Sequence, residues 1–174
     1  MKKCKWHSIL LFGLTLLLAI STAACGTPPG SASAPEAEQE WDLITKDASE
    51  LVLVIADFEP GWVQHSAEPA TKEGAQSAYH VYFREGIFYP PVVQNTVAVY
   101  PSIDLAKQVY LGEKPANVSL EYPKIGDECF LDTSVSVNQR LVFRKGNVVV
   151  WLWLQQDPFG DIKSHARIIE GKIG

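Results

Sequence analysis

The sequence predicts an α+β fold, in which an antiparallel β-sheet packs with about three helices in a single domain. Three observations lead to this prediction: β-rich runs of alternating polarity, a glycine turn between two such runs, and apolar residues at helical spacing after capping residues. The chain has 174 residues and a mass of 19.2 kDa, which is the size of one domain. A multidomain assembly is therefore excluded.

The first predicted element is a short helix that begins after Asp47. The stretch Asp47-Ala48-Ser49-Glu50 has a capping residue with an acid three positions later, which signals a helix start. Apolar residues follow at helical spacing: Leu51, Val54, Ile55 and Phe58. The run LVLVI is also rich in strand-forming residues, so a strand remains the alternative here. Glu59-Pro60-Gly61 ends this element, and residues 62–66 are predicted to enter a strand.

Two strands and a second helix are predicted in the middle of the chain. Residues 78–84 (AYHVYFR) alternate in polarity as a half-exposed strand does, and residues 92–100 (VVQNTVAVY) form another β-rich run. Pro90 and Pro91 exclude an inner strand between these runs because proline has no amide donor. Ser102 can cap a helix. One face of that helix carries Leu105, Ala106, Val109 and Tyr110.

The clearest tertiary signal is a hairpin near the C-terminus. Two β-rich runs, 140–144 and 148–154, flank Lys145-Gly146-Asn147, where glycine supplies the positive φ of a tight turn. The two turn residues can be Lys145-Gly146 or Gly146-Asn147. In either case odd-numbered positions of the first strand pair with even-numbered positions of the second, so the same side chains share each face of the hairpin. The predicted core face carries Leu141, Phe143, Val148, Val150, Leu152 and Leu154. The opposite face carries Arg140, Val142, Arg144, Val149, Trp151 and Trp153.

A closing helix is predicted after Asp161, which can cap it. Its apolar residues recur at helical spacing: Ile162, Ala166, Ile169 and Ile173. Because no repeat and no second linker interrupts the chain, residues 41–174 are interpreted as one domain.

The N-terminus has the layout of an export signal. Lys2, Lys3 and Lys5 form a cationic start, and residues 8–20 are a 13-residue apolar block without a charge. The block is short for a membrane span, because a hydrocarbon core of about 30 Å needs roughly 20 helical residues. We therefore expect residues 1–24 to be a signal peptide, with an uncleaved anchor as the alternative.

The residues after the apolar block indicate how the chain is attached. Thr22-Ala23-Ala24-Cys25 resembles the lipobox of bacterial lipoproteins, in which small residues precede a cysteine that is lipidated and becomes the mature N-terminus. Thr22 departs from the Leu that is usual at its position. The resemblance implies that Cys25 is lipidated. A plain secretory signal cut after Ala24, which would leave Cys25 free, is the alternative.

Residues 26–40 (GTPPGSASAPEAEQE) contain no large apolar residue and are predicted to be a flexible tether, so that 25–40 form the lipidated cysteine and its linker. The first 24 residues hold three of the 15 basic residues and none of the 20 acidic ones, so a chain without them has 12 against 20, a net charge of −8. A domain with this negative charge should be repelled by the surface of an anionic membrane. It also lacks the excess of basic residues that binding to nucleic acid requires. We expect the lipid on Cys25 to attach the protein to the membrane. Its binding partner is expected to be an unidentified ligand or protein of the cell envelope.

Four local motifs mark the body of the chain: Pro60-Gly61-Trp62, Val99-Tyr100-Pro101-Ser102, residues 125–128 (IGDE) and the hairpin FRKGN at 143–147. With the order of elements, they make residues 43–173 resemble small extracytoplasmic domains of the PsbP-like type. The body also resembles external sensor domains of some membrane-bound serine/threonine kinases. The resemblance implies a small α/β sandwich that binds or scaffolds, without enzymatic activity.

No motif for a metal, a cofactor or a nucleophile is present in the sequence. His65, His80 and His165 do not have the spacing of a zinc site. No G-x-S-x-G occurs, and Cys129 follows Glu128, whose negative charge disfavours a thiolate. We therefore predict a buried structural thiol at Cys129 and no catalytic residue, metal or cofactor.

The candidate binding face is the second side of the hairpin. Arg140 and Arg144 share it with Trp151 and Trp153, and an Arg over an exposed indole contributes about 0.5–1 kcal/mol. Aromatic residues with Arg often anchor a ligand or a partner. The alternative is that a helix or loop covers these tryptophans as part of the core. A candidate rim loop, or alternatively a local core, consists of Ile87, Phe88 and Tyr89.

These features predict a lipid-anchored, extracytoplasmic, non-enzymatic domain that binds or scaffolds at the cell envelope. A second hypothesis is an envelope hydrolase or transferase whose site is assembled from dispersed residues such as His80, Asp127 and Glu128. A third is a carrier of apolar cargo, which needs an aliphatic cavity of at least about 300 Å³ between sheet and helices.

Overall fold

A seven-stranded sheet forms the centre of the structure, and its neighbouring strands pair antiparallel. The computed structural model describes residues 42–86, 91–116, 118–135, 137–157 and 160–174, which belong to one compact unit. The strands are β1 (Trp62–Pro69), β2 (Ser77–Glu85), β3 (Val92–Val99), β4 (Leu120–Glu121), β5 (Glu128–Val135), β6 (Asn138–Lys145) and β7 (Val148–Gln155). Three α-helices lie within these ranges: α1 (Ala48–Leu51), α2 (Ile103–Gly112) and α3 (Ile162–Ile173). The predicted α+β class is confirmed.

Two meanders meet in the middle of the sheet. The strand order is β1-β2-β3-β7-β6-β5-β4, so β3 and β7 lie side by side although they are distant in sequence. Helix α2 belongs to the connection that leads from β3 to β4 at the far edge. Because this connection crosses one face of the sheet, α2 packs on β6 and β7.

The predicted hairpin joins β6 to β7 through a two-residue turn. Lys145 pairs with Val148, so the turn residues are Gly146 and Asn147, and Gly146 has a φ of +57°. The buried Asn147 amide donates to the carbonyl of Tyr100 at 2.7 Å. This contact ties the turn to the end of β3. All six residues of the predicted core face are buried.

The first core lies between the sheet and the helices α1 and α3. The four apolar residues predicted for α3 are buried there, and Asp161 caps the helix by accepting from the Lys163 amide at 3.0 Å. Valine and leucine side chains of the inner strands fill the rest of this core. The amphipathic pattern of α3 therefore correctly predicted which side of the helix faces the sheet.

A second core lies on the opposite face of the sheet, under α2. Ser102 caps α2 by accepting from the Leu105 amide at 3.2 Å, as predicted. The buried members of this core are Ala98, Tyr100, Ala106, Tyr110, Phe130, Val142, Val149 and Trp151. The middle of the sheet is thus covered on both faces.

The predicted first helix is shorter than its sequence pattern. Helix α1 ends at Leu51, and Val54 and Ile55 are 44% and 45% exposed instead of packed. The Leu53 amide donates to the buried Asn95 side chain at 3.0 Å, which takes a donor that a longer helix would use. The chain is therefore extended from Val52 to Val54, before a 3₁₀ turn at Ile55–Asp57.

Strand β5 is not predicted from the sequence because it has apolar residues on both faces. Cys129 and Leu131 belong to the first core, whereas Phe130 between them belongs to the second. A strand buried on both sides has no alternation of polarity to reveal it.

Candidate functional site

The second core ends at Trp151, and the sheet beyond it is not covered by α2. Trp153, two positions along the same strand face, is 37% exposed, whereas Trp151 is 3% exposed. Helix α2 packs on the part of β6 and β7 that carries Val142, Val149 and Trp151. On the half of this face beyond Trp151, which we call the open half, Trp153 is exposed, whereas Val92 is buried and Arg140 is only partly exposed.

Four side chains form a row across the open half of the face, and we call them the aromatic row. Tyr82 on β2 pairs with Gln94 on β3, Gln94 with Trp153 on β7, and Trp153 with Arg140 on β6. Directly opposite residues of antiparallel strands share a face and lie about 4.5–5.5 Å apart at Cβ. The row thus spans four adjacent strands and combines two rings with an amide and a guanidinium.

Arg140 is held in place beside Trp153. Its Cζ lies 5.1 Å from the centre of a Trp153 ring, within cation–π distance. One guanidinium nitrogen forms an ion pair with the Glu113 carboxylate, and the other donates to the Glu113 carbonyl at 3.3 Å. Among the residues that the structure describes, no acceptor lies within hydrogen-bonding distance of Arg140 Nε. The guanidinium is therefore fixed beside the indole, and its unpaired Nε is buried.

The other two residues of the predicted binding face lie inside the protein. The Arg144 side chain is 9% exposed and binds Asp127 and Glu128, each at 2.9 Å. The Trp151 ring is covered by Lys72, whose Nζ lies 4.1 Å from its centre. The four predicted residues therefore share one face of the sheet, as the alternation of side chains along each strand requires. Arg144 and Trp151, however, are not exposed on that face.

Three predicted elements lie outside the described residues. They are the signal peptide of residues 1–24, the lipidation residue Cys25 with the tether that ends at residue 40, and the candidate rim loop of Ile87, Phe88 and Tyr89. All three remain predictions from the sequence.

His80 lies beside the aromatic row and was not predicted to belong to a binding face. It is two positions from Tyr82 on the same strand face, and its Nδ1 is 2.8 Å from the Thr96 hydroxyl. Burial lowers the pKa of His80, although the charge of Glu68 on β1 acts in the opposite direction. The alternation of side chains along β2 already predicted that His80 and Tyr82 share a face. Nothing in the sequence indicated that β3 pairs with β2 or that β7 pairs with β3.

The residues of the hydrolase hypothesis do not converge. His80 is on β2 and Glu128 on β5, four strand spacings away, which is roughly 19 Å at about 4.8 Å per spacing. Asp127 and Glu128 are instead bound to Arg144. Their carboxylates are thus engaged in an ion-pair network, and no proton-transfer pair with His80 is formed.

Cys129 is a buried thiol, 5% exposed. Burial is the main cause that raises its pKa to about 12, and the Glu170 carboxylate adds to the effect. Within the described ranges, no group of three or more His, Cys, Asp or Glu side chains could hold a metal ion.

Three concavities of about 370 to 500 Å³ bear on the hypothesis of an apolar carrier. Each is lined by lysines, acids or tyrosines as well as small apolar residues. These three therefore lack the aliphatic lining that apolar cargo needs. Of the helices described, none is long and apolar enough to cross a bilayer.

The described residues define an antiparallel α+β sandwich with one sheet face half open. This fold is similar to the crystal structure of the extracellular domain of PknH from Mycobacterium tuberculosis, with a TM-score of 0.51 at 10% sequence identity. The match covers 72% of this chain and 92% of that domain. No family model matches the sequence, and no curated protein is significantly similar to it. The similarity shows a shared fold, which agrees with the resemblance to external kinase sensor domains.

Proposed function

We propose that this protein is a lipid-anchored, extracytoplasmic binding domain without catalytic activity, and that the aromatic row is its binding face. The observation that carries the proposal is the exposed Trp153 ring, held beside Arg140 on the part of the sheet that α2 leaves open. Trp, Tyr and Arg are the residues that contribute most at binding surfaces. Three of the four members of the row are of these types.

The chemistry of the row favours recognition over catalysis. The indole and phenol rings offer flat apolar surface, Gln94 adds a side-chain amide, and Arg140 adds a positive charge that Glu113 holds in place. A nucleophile beside a base would be needed for acyl or phosphoryl transfer. His80, the histidine beside the row, is bound to a Thr hydroxyl and lies opposite Glu68 on β1, whereas Asp127 and Glu128 are bound to Arg144.

The proposed extracytoplasmic location rests on the N-terminal sequence and is supported by the fold comparison. The lipobox-like residues end at Cys25, and a tether of small and polar residues follows. The similar structure is that of an extracellular domain. A folded body on such a tether would lie within roughly 20 Å of the bilayer, the average reach of a flexible 15-residue segment.

Mass spectrometry of the protein purified from native membranes tests the anchor. Acylation of Cys25 and loss of residues 1–24 are expected. The variant Cys25→Ser should leave the membrane fraction or keep its leader, whereas the matched variant Cys4→Ser, before the apolar block, should be processed and anchored normally. An unmodified Cys25 on a cleaved chain would refute the anchor.

Site-specific photocrosslinking in living cells tests the binding face. A benzophenone amino acid replaces Trp153 on the open face or Leu111 on α2, which is 49% exposed. We expect a discrete adduct from position 153 and none of the same mass from position 111. The same adducts from both positions, or none from either, would show that the aromatic row is not a binding face.

A further inference from the structure

A second concavity is lined by none of the residues of the aromatic row. It is an open cleft of about 500 Å³ between the C-terminal end of α2 and the segment that precedes and enters β5. Its lining includes four charged residues, Lys114, Lys124, Asp127 and Glu128, together with Tyr110, Tyr122 and Cys129. This volume is within the range of small-molecule sites, about 300–1,000 Å³.

The charges at the cleft, counted with the Arg144 that binds its two acids, are three positive and two negative. Lys114 and Lys124 both line it, and within the described part of the chain neither has a carboxylate at ion-pair distance. The two acids at its edge, Asp127 and Glu128, are already bound to Arg144. The two lysines therefore line the cleft without an ion-pair partner among the described residues, which favours an anionic occupant.

Two tyrosine rings line the same cleft around Lys114. The Lys114 Nζ lies 5.0 Å from the ring centre of Tyr110 and 5.6 Å from that of Tyr122. These cation–π contacts hold the ammonium between the rings without neutralising its charge. Tyr122 is 66% exposed, so one face of its ring is free to stack, whereas Tyr110 is buried in the second core.

Burial determines the state of the other groups in the cleft. Burial raises the pKa of Tyr110 above its ordinary value, so its phenol is neutral at neutral pH. The Cys129 thiol is also protonated, because burial raises its pKa to about 12. An anion in the cleft therefore meets a neutral phenol and a neutral thiol, two lysines without an ion-pair partner, and two carboxylates that are bound to Arg144.

We propose that this cleft binds a small anion that carries a flat ring, with the anionic group between Lys114 and Lys124 and the ring stacked on Tyr122. The occupant needs both a ring and a negative charge, because the Tyr122 ring and the two lysines line the same cleft. The site shares no residue with the aromatic row and does not depend on the binding role proposed for that row.

Calorimetric titration of the full chain in detergent micelles tests the proposal with three probes. Phenyl phosphate has both ring and charge, inorganic phosphate has the charge alone, and benzyltrimethylammonium has a ring with the opposite charge. Phenyl phosphate is expected to bind more tightly than either of the others. Equal affinity for phenyl phosphate and inorganic phosphate, or preference for the cation, would overturn the proposal, as would no binding by any probe.

Three variants locate the binding. Lys114→Gln and Lys124→Gln should each weaken phenyl phosphate binding roughly tenfold, the usual effect of losing one charged contact. Tyr122→Ser should reduce the affinity for phenyl phosphate to that for inorganic phosphate. Circular dichroism should show all three folded, since Tyr122 and Lys124 are exposed and Lys114 is partly so.

Matched controls separate this site from the aromatic row. Lys107→Gln removes an exposed lysine elsewhere on α2, and Trp153→Ala changes the aromatic row; both should bind phenyl phosphate as the unmodified chain does. Unchanged affinity in both Lys114→Gln and Lys124→Gln would refute the cleft as the site. Loss of binding in Trp153→Ala would also refute it, because that result would place the anion on the open face of the sheet.

Discussion

Arg144 donates to Asp127 across 2.9 Å, and this contact joins two distant parts of the chain. The same Asp127 oxygen accepts from the backbone amide of Gly146 at 2.8 Å, and Arg144 also donates to the Gly146 carbonyl at 2.8 Å. The segment before β5 is thereby attached to the turn of the β6–β7 hairpin. Because Glu128 binds the same guanidinium, the positive charge of a nearly buried Arg is fully compensated.

Replacing Arg144 by Leu should destabilise the protein, because it leaves two carboxylates without their partner. Breaking a buried pair costs about 3–5 kcal/mol, and we expect about 2–3 kcal/mol here because the acids are 34% and 29% exposed. Urea unfolding gives the change in free energy. Adding Asp127→Asn and Glu128→Gln to Arg144→Leu should recover part of the loss, whereas Arg167→Leu on the exposed side of α3 should change stability by less than about 0.5 kcal/mol. No difference between the two Arg variants would contradict the role of the network.

Gly126→Ala should be more harmful than Gly86→Ala, although both glycines have positive φ, +62° and +74°. A Cβ at position 126 would overlap the backbone carbonyl of Arg144, whereas none of the described residues lies within 4 Å of one at position 86. We expect about 1 kcal/mol for Gly86→Ala from φ strain alone, and 3 kcal/mol or more for Gly126→Ala, as about the sum of strain and overlap. Thermal and urea unfolding of the two variants measure the difference. Equal losses would show that the segment at 126 can move away from the hairpin.

Trp151→Ala and Trp153→Ala should affect stability very differently. Removing the buried Trp151 ring leaves a cavity in the second core and should cost about 3–5 kcal/mol. Trp153 is 37% exposed and borders solvent, so its removal should cost less, about 1 kcal/mol. Unfolding free energies of the two variants test this order. A larger loss for Trp153→Ala would mean that the open face is covered in solution.

Stability should decrease as pH is lowered from about 7.5 to 5.5, in the range where histidines are protonated. Burial lowers the pKa of both His80 and His165 below the ordinary value of 6.5. The unfolded chain then takes up protons at a higher pH than the folded one, so the stabilisation is present above pH 6.5 and is lost below it. Urea midpoints across this range measure the effect. The double variant His80→Gln, His165→Gln should have a flatter profile, and an unchanged profile would contradict the assignment.

Local sequence signals predicted most elements of the fold. Helix α2 began after Ser102, α3 after Asp161, and the hairpin turned at Gly146, because capping groups and positive φ act within a few residues. The first helix was predicted too long because the interaction that ends it is not local. Asn95, 42 residues from Leu53, accepts the amide hydrogen bond that a longer helix would have used.

The sequence by itself determined that Arg140, Arg144, Trp151 and Trp153 share one face of the sheet, because side chains alternate along a strand whatever its neighbours are. The tertiary structure decided which of them remain at the surface. Covering Trp151 requires α2 to cross β6 and β7 on the way to the far edge of the sheet, and burying Arg144 requires Asp127 and Glu128 at the start of the neighbouring strand β5. Strand order is a long-range property set by the packing of the whole chain, and the period of two along one strand carries no information about it.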